Sequence, residues 1–460
     1  MFIYYFGTAL SLSLCWLCVL WAAVELACFF TGFDSRDFDL DCSAADNDGR
    51  RNKNAMAPTG SRTSMLKNKV AWCMALIARR KESRKYSAST HAELEAFHVP
   101  VDHPFFNESY YFNGADERNQ RFITRISRHG RMGGHSYVFL LLDIDGIGIL
   151  SLEKDDVKSE TQHPNPIACG VSYTCEEPMK RWRIRYKGPM RRGCVPPSSS
   201  KMKDQFEDVE LDLVYERTTP TFWYMRDDDL RTLAKNLSQE PWGYNFFKVC
   251  VTRSSHHAHY EEYGRATGTV RVGDSESTFD FGTFRDHSWD IRRWAAMDSL
   301  LILLVELAKP LTIDGASYKY LDLTLVSMPG NIGGVQKYTT GYLLGNGHAK
   351  ILPVTQATSI DTIKWKTRPD GSREPLDRTD VVIEFPASRE DGNVPTISVR
   401  MDGPIRRLQY WPDHGDFEVF EDAMDFTLKE LSSGFECKGY GTRQSGFRVG
   451  DFDPSLGGVG

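Results

Sequence analysis

The feature that most restricts the fold is a series of short runs with a period of two residues, which begins near Ala96. Apolar and aromatic side chains alternate with polar ones in HSYVFLLLDIDGIGILSL, MKRWRIRYKGPM and DVELDLVYERTTPTFWYM, and Gly, Asp and Asn separate the runs. Many short strands with few helices and no βαβ alternation are typical of antiparallel sandwiches and barrels. We therefore expect an all-β fold.

One helical segment, Arg226–Gln239, interrupts the strands, and its acidic residues lie in the first turn, where the helix dipole favours them. The segment is a natural boundary between two β-domains, which a chain of 460 residues is long enough to contain. We predict a first β-barrel over residues 96–245 and a second over residues 246–460. The segment Trp294–Pro310 fits either a helix or a long buried strand, because periodicity does not separate the two.

The N-terminal segment Met1–Phe33 carries one charged side chain, Glu25, and is long enough to cross a bilayer, for which about 20 apolar residues suffice. A cleaved signal peptide is the alternative, but such peptides usually have a basic start and a shorter apolar stretch. We therefore predict an uncleaved single-pass anchor before the β-domains. It would place the protein in an endomembrane or at the cell surface, and the flanking charges leave its sidedness open.

Residues 34–95 form a linker in which Asp, Asn, Ser and Gly are frequent up to about Ser64. In the following stretch, Met65–Tyr86, apolar residues alternate loosely with Lys and Arg, which is typical of a basic amphipathic helix. Such a helix fits two arrangements. It can lie on an anionic membrane surface, or it can pack against its own domain.

Charge and motifs exclude several function classes. The net charge is -6, and the short basic clusters form no stripe with interleaved aromatics, so we expect no nucleic-acid partner. The stretch GNIGG, Gly330–Gly334, lacks the Lys-Ser/Thr of a phosphate loop, and G-x-S-x-G is absent. His256, His257 and His259 lack a second ligand cluster at a recognisable spacing, so we expect neither a metal nor a cofactor.

The stretch FRDHSWDIRRW, Phe284–Trp294, places three polar side chains together in a region that otherwise reads as strand. Because alternate residues of a half-buried strand face the core, at least one of Arg285, Asp286 and His287 should point inward. A turn at Gly273-Asp274 folds the preceding run HYEEYG back onto this stretch. We therefore expect His259 to meet these three residues in space.

The run HYEEYGRATGTVRV, followed by GTFRDHSW and by Arg292 and Trp294, resembles a pattern of a mostly uncharacterised family related to carotenoid 1,2-hydratase, also called hydroxyneurosporene synthase. ESYYFN, KRWRIRYKG and KGYGTRQSGFR are similar to further landmarks of that family, so the resemblance covers most of the chain from Ala96 onward. It implies two packed lipocalin-like β-barrels. It also implies that Asp286, the aspartate of the D-H motif, donates a proton to a substrate double bond.

That chemistry is physically sensible, because hydrating an alkene needs a strong acid in an apolar site and aromatic faces that stabilise a cation. The resemblance therefore suggests a site with two sets of residues. The candidate catalytic residues are Asp286, His287, His259 and Tyr260, and the candidate ligand-binding residues are Arg285, Trp289, Trp294 and Glu261.

Three positions depart from the family pattern: Glu262 replaces Gln, Asp290 replaces Gly and Arg293 replaces Asp. We therefore expect first a membrane-anchored binder of an apolar small molecule, of lipid or isoprenoid class, in a lipocalin-like barrel. The alternative is a hydratase or isomerase that acts on such a ligand through Asp286. Two further interpretations stay open: barrels filled by their own side chains, and a structural cluster in which Arg285 or Arg292 pairs with Asp286.

Overall fold

The computed structural model describes residues 62–98, 106–118, 120–129, 135–158, 165–193, 205–239, 242, 258–291, 297–328, 336–347, 350–358, 365–369, 371–387, 392–410 and 417–450. The predicted anchor Met1–Phe33, the predicted ligand residue Trp294, and His256, His257 and Arg292 lie outside the described residues. Within these ranges, no helix is both long and apolar enough to cross a bilayer.

Within the described ranges, eleven strands form the first sheet. They are β1 (Phe106–Ala115), β2 (Arg121–His129), β3 (His135–Ile144), β4 (Gly148–Lys158), β5 (Ile167–Ala168), β6 (Val171–Glu177), β7 (Arg181–Arg192), β8 (Phe206–Arg217), β9 (Phe222–Trp223), β10 (Ala258–Val272) and β11 (Ser275–Ile291).

Eight of these strands close into a barrel in the order β4-β3-β2-β1-β11-β10-β8-β7, because β4 also pairs with β7 through Leu150 and Ser151. All the neighbours along this path are antiparallel. The barrel interior is filled by its own side chains, including the fully buried Trp182, Tyr173 and Tyr215. The prediction of an antiparallel β-barrel is confirmed for this sheet.

The hairpin of β10 and β11 follows from its turn chemistry. Val272 pairs with Ser275, so the turn has two central residues, and Gly273 has a φ of 56°, which Gly adopts without steric cost. Fifteen residue pairs then continue in register from this turn to Ala258 and Trp289. The predicted turn at Gly273-Asp274 is confirmed.

The remaining strands form a second sheet and a short hairpin. The sheet contains β12 (Ser299–Ile313), β13 (Ala316–Met328), β14 (Gln336–Leu344), β15 (Leu352–Pro353), β16 (Gln356–Ala357), β19 (Thr379–Glu384), β20 (Thr396–Tyr410), β21 (Phe417–Glu430) and β22 (Glu436–Arg448), and the hairpin joins β17 (Trp365–Thr367) to β18 (Arg373–Pro375).

The second sheet is a curled half-barrel with the order β15-β14-β13-β12-β22-β21-β20-β19-β16. Its two ends are the two-residue strands β15 and β16, which pair with β14 and β19 and not with each other. The expected second closed barrel is thus an open sheet in the described part of the chain. The ambiguous stretch Trp294–Pro310 contributes a strand, β12, because Leu301, Leu303 and Val305 alternate into the core of this sheet.

The boundary between the first and the second sheet lies later in the chain than residue 245, which is the boundary that the sequence suggested. Strands β10 and β11 belong to the first barrel, because β10 pairs with β8 and β11 pairs with β1. The helical segment that suggested the boundary is helix α3 (Leu230–Gln239), which packs outside the barrel. Strand pairing between residues far apart in the chain therefore decides where the first domain ends.

Two helices precede the barrel: α1 (Arg62–Ala88) and α2 (His91–Glu95). Ala75 of α1 packs with Leu233 and Ala234 of α3, so this helix has the second of the two arrangements that the sequence left open. The short helix α2 begins at a capping box, in which the Glu93 amide donates to Thr90 Oγ1 and the Thr90 amide donates to Glu93. This cap fixes the N-terminal end of α2, and the last residue of the helix, Glu95, contacts the barrel.

Candidate functional site

Strand alternation divides the predicted site residues between the two faces of the hairpin β10–β11. In the register, Tyr260 pairs with His287 and Glu262 with Arg285, and these four side chains point into the barrel. His259, Glu261 and Asp286 point outward, toward the second sheet. His259 and Asp286 therefore meet as predicted, whereas Arg285 and His287 lie on the opposite face. We describe the two groups as the inner cluster (Glu95, Glu108, Tyr260, Glu262, Arg285, His287) and the junction cluster (Tyr224, His259, Glu261, Asp286, Tyr342).

Arg285 is fully buried in the inner cluster and forms ion pairs with two carboxylates. Its Nη1 donates to Glu262 Oε1 at 2.9 Å, and its Nη2 contacts Glu95 at the end of α2. The guanidinium also lies 4.8 Å from the ring centroid of Trp182. The partner of Arg285 is therefore not Asp286, and this part of the structural interpretation is wrong. Glu262, one of the departures from the family pattern, supplies the charge that Arg285 requires.

His287 belongs to the same buried network. Its Nε2 lies 3.2 Å from Glu108 Oε1 and its Nδ1 lies 2.9 Å from the hydroxyl of Tyr260. Burial lowers the pKa of His287, whereas hydrogen bonds from His287 and His98 overcome the burial of Glu108 and lower its pKa to about 2. A neutral imidazole beside an ionised carboxylate is thus the resting state here. Trp289, a predicted ligand residue, stacks on His98 with centroids 3.6 Å apart.

The junction cluster lies between the outer face of the barrel and the second sheet. His259 Nε2 contacts Asp286 Oδ2 and lies 3.1 Å from Glu261 Oε1. The imidazole stacks on the ring of Tyr224, with centroids 3.9 Å apart and ring planes within 6°. Ser288 donates a hydrogen bond of 3.0 Å to Asp286 Oδ1. The histidine is therefore fixed in orientation by a carboxylate pair and by an aromatic face.

Glu261 connects the barrel to the second sheet. Its Oε1 accepts a hydrogen bond of 2.7 Å from Tyr224, and its Oε2 accepts one of 2.6 Å from Tyr342 on β14. Tyr342 also stacks on Phe222 with centroids 4.2 Å apart. Since Tyr342 comes from the second sheet, the cluster is complete only when the two sheets pack together.

The junction cluster holds a proton at neutral pH. Burial alone would lower the pKa of His259, but the charge and hydrogen bond of Asp286, together with Glu261, outweigh it and raise that pKa to about 9. His259 is therefore an imidazolium that forms an ion pair with Asp286. In ordinary solution the same side chain would lose its proton near pH 6.5.

The junction cluster is partly accessible to solvent. The side chains of His259 and Asp286 are 18% and 15% exposed, whereas that of Glu261 is 5% exposed. A separate cavity of about 20 Å³, between the barrel and the second sheet, is lined by residues that include Asn113, Tyr263 and Glu306. That volume has room for about one water molecule.

Two groups of three side chains could each offer ligands to a metal ion, with all ligand atoms within 4.8 Å of one another. These groups are His98, Glu108 and His287, and His259, Glu261 and Asp286. In each group the ligand atoms already bind one another, and Arg128 adds a guanidinium 3.0 Å from Glu108. Both arrangements are satisfied by protons and ion pairs.

Several site residues had no signal in the sequence. Tyr342 and Tyr224 lie far along the chain from the D-H motif, and Glu95 lies before the first strand. Only the packing of the two sheets and of α2 brings them to the hairpin. The motif identified the hairpin, but it could not identify the partners from other elements.

Solved structures similar to the chain share little of its sequence. A protein of Nitrosomonas europaea described as a putative AttH is 13% identical, with 77% of this chain and 98% of that chain covered and a TM-score of 0.45. CghA in complex with Sch210972 is 11% identical, with coverage of 77% and 94% and a TM-score of 0.43. Kievitone hydratase of Nectria haematococca is 10% identical, with coverage of 74% and 88% and a TM-score of 0.43.

No curated protein matches the chain significantly. The relation to carotenoid 1,2-hydratase stays a prediction. A protein family does match, over residues 91–424, which include both the barrel and most of the second sheet. The chain therefore belongs to the family described as Domain of unknown function (DUF7064).

Proposed function

We propose that the chain is a hydratase- or isomerase-type enzyme that transfers a proton to a small unsaturated molecule at the junction of the barrel and the second sheet. The observation that supports this proposal is the His259–Asp286 ion pair, which is held by Glu261 and two tyrosines and is partly exposed. A positioned proton donor with tuned charge partners is the central requirement of general acid catalysis.

The geometry refines the role that the resemblance gives to Asp286. Because the pKa of His259 is raised to about 9, the proton of the pair resides on the imidazole at neutral pH, and the pair is a weaker acid than free histidine, so an activated double bond suits it better than an isolated alkene. Asp286 then acts as the carboxylate that orients His259 and stabilises its charge. The pair donates the proton as a unit, so the loss of either member should slow transfer to a similar extent.

The surroundings of the pair suit an unsaturated, largely apolar substrate. Phe222, Tyr224, Phe284 and Tyr342 are buried and pack together beside the pair, so an apolar substrate would reach His259 and Asp286 from their partly exposed side. The lipid or isoprenoid class and the membrane anchor expected from the sequence belong to this proposal. A ligand inside the barrel has less support, because buried aromatic side chains fill that space.

The test is a turnover assay on the full chain with a panel of unsaturated isoprenoids and lipids in ¹⁸O-labelled water and, separately, in D₂O. A hydratase gives a product that has gained one labelled water, and an isomerase gives a product that has gained deuterium without added oxygen. Asp286→Asn and His259→Gln should each lower turnover by about 10² or more. Asp280→Asn is the matched control, because Asp280 lies on the same face of β11 but pairs with Arg265 at the surface. Full turnover by Asp286→Asn would refute the proposal.

A further inference from the structure

Asp322 is a buried aspartate of the second sheet that the sequence did not single out. It lies on β13, between Leu304 of β12 and Tyr342 of β14 in the register. Its side chain is on the face of the sheet that packs against the barrel, because Tyr320, two residues earlier on that face, stacks on Tyr263 of β10 with centroids 4.4 Å apart. Asp322 is fully buried.

Neither carboxylate oxygen of Asp322 has a hydrogen-bond partner among the residues that the structure describes. The hydroxyl of Tyr263, on the facing strand β10, is likewise without a partner in that part of the chain. An ionised carboxylate in such a place would be without solvation and without a donor. Since that is costly, a buried carboxyl group without a partner usually takes up a proton.

Two of the groups that face Asp322 add negative charge: Glu261 from β10 and Asp286 from β11. The others are tyrosines whose raised pKa values keep them neutral: Tyr263 from β10, Tyr342 from β14, and Tyr224, which follows β9. The cation of the cluster, His259, binds Asp286 and Glu261. Burial, followed by the charges of Glu261 and Asp286, raises the pKa of Asp322 well above its ordinary range.

We propose that Asp322 is held as a neutral carboxylic acid at the sheet junction and stores the proton that replenishes the His259–Asp286 pair. The storage role depends on the proposed function, whereas the protonation of Asp322 does not. The second sheet would then supply the proton and the barrel would supply the pair that delivers it.

The proton balance of a hydration closes with these groups. The pair transfers its proton to an alkene carbon, so that a C–H bond forms, the π bond breaks and a cation remains. Asp322, whose charge interactions are with Glu261 and Asp286, returns a proton to the pair and becomes a carboxylate. Water then forms the new C–O bond and loses a proton to the pair, which passes it back to Asp322. The net reaction adds one water to one double bond, and every group of the protein is restored.

The test of protonation is infrared difference spectroscopy of the full chain at neutral pH. Subtracting the spectrum of Asp322→Asn from that of the native protein should leave the carboxylic-acid C=O band, and this band should shift in D₂O. Asp422→Asn is the matched control, because Asp422 is equally buried but is paired with Arg407 and Arg443. It should leave no acid band. The melting temperature should hold or rise in Asp322→Asn and fall in Asp422→Asn.

Two results would overturn the protonation of Asp322. One is the absence of an acid band in the difference spectrum. The other is a stoichiometric divalent metal, detected by elemental analysis, that is lost in Asp322→Asn, because Asp322 would then be an ionised ligand.

The storage role is tested with a substrate found in the turnover assay. Asp322→Asn should lower kcat at least tenfold with little change in KM, and it should change the alkaline limb of the pH profile. If the carboxylic-acid band is present but the native protein turns over no substrate, the proposed function and the storage role are refuted. The protonation of Asp322 would then still be established. Turnover without a band would refute this inference alone.

Discussion

Replacing Asp286 by Asn should remove most of the pH dependence that His259 gives to the folding stability. In the native protein the pKa of His259 rises from its ordinary 6.5 to about 9, with Asp286 as the strongest favourable cause. Because 1.36 kcal/mol corresponds to one pKa unit, the folded state gains about 3 kcal/mol from this proton. The side chain is 18% exposed, so solvent screening reduces the figure only modestly.

The sign follows from linkage. A group with a raised pKa in the folded state gives its full stabilisation below the unfolded pKa, and that stabilisation disappears as the pH rises through the folded pKa. The native protein should therefore lose about 3 kcal/mol between pH 6.5 and about 9 through His259. Asp286→Asn should be less stable at the low end of this window and nearly equal to the native protein above it.

Urea denaturation at several pH values measures this difference directly, and NMR of the histidine ring gives the pKa of His259 in both proteins. His259→Gln should flatten the same part of the curve, since it removes the titrating group. Asp280→Asn should run parallel to the native protein, because its ion pair with Arg265 lies at the surface. Equal pH slopes in the native protein and in Asp286→Asn would show that the ion pair does not hold the proton.

Three other perturbations test the fold and the predicted anchor. Arg285→Met should lower the free energy of unfolding by about 3 to 5 kcal/mol in urea denaturation, because it leaves two buried carboxylates without their cation. Arg183→Met, which removes a part-exposed ion pair, should lower it by less than about 1 kcal/mol in the same assay. Equal losses would contradict the structural role of Arg285. Gly273→Val should cost about 1 kcal/mol or more, because the hairpin turn needs a positive φ there, and an unchanged midpoint would contradict this. Met1–Phe33 should keep the full chain in membranes through an alkaline carbonate wash, and release into the supernatant would favour a signal peptide.

The sequence predicted the local part of the site well. The two-residue turn, and the alternation of inward and outward side chains on either side of it, depend only on neighbouring residues. The pairing of His259 with the region of Asp286 could therefore be predicted from the sequence. The sequence also required at least one inward charge. It could not say which, because the pairing of β11 with β1 sets which face of the hairpin lines the barrel.

The missing parts of the site come from packing between distant segments. Glu95 reaches Arg285 from α2, and Tyr342 and Asp322 reach the junction from the second sheet. No periodicity within β13 or β14 shows which barrel residues will face them. The closure of the first sheet and the open form of the second likewise depend on pairings such as β4 with β7, which local patterns do not encode.

The pairing of β1 with β11 has a consequence for synthesis on the ribosome. Phe106 and its partner Ile291 are about 185 residues apart in the chain. While the intervening residues are translated, β1 exposes an unpaired edge and its aromatic Tyr110 and Phe112 to the cytosol or to the translocation machinery. The nascent chain should therefore need a chaperone that holds the early strands, and arrest of translation before residue 275 should leave them sensitive to protease.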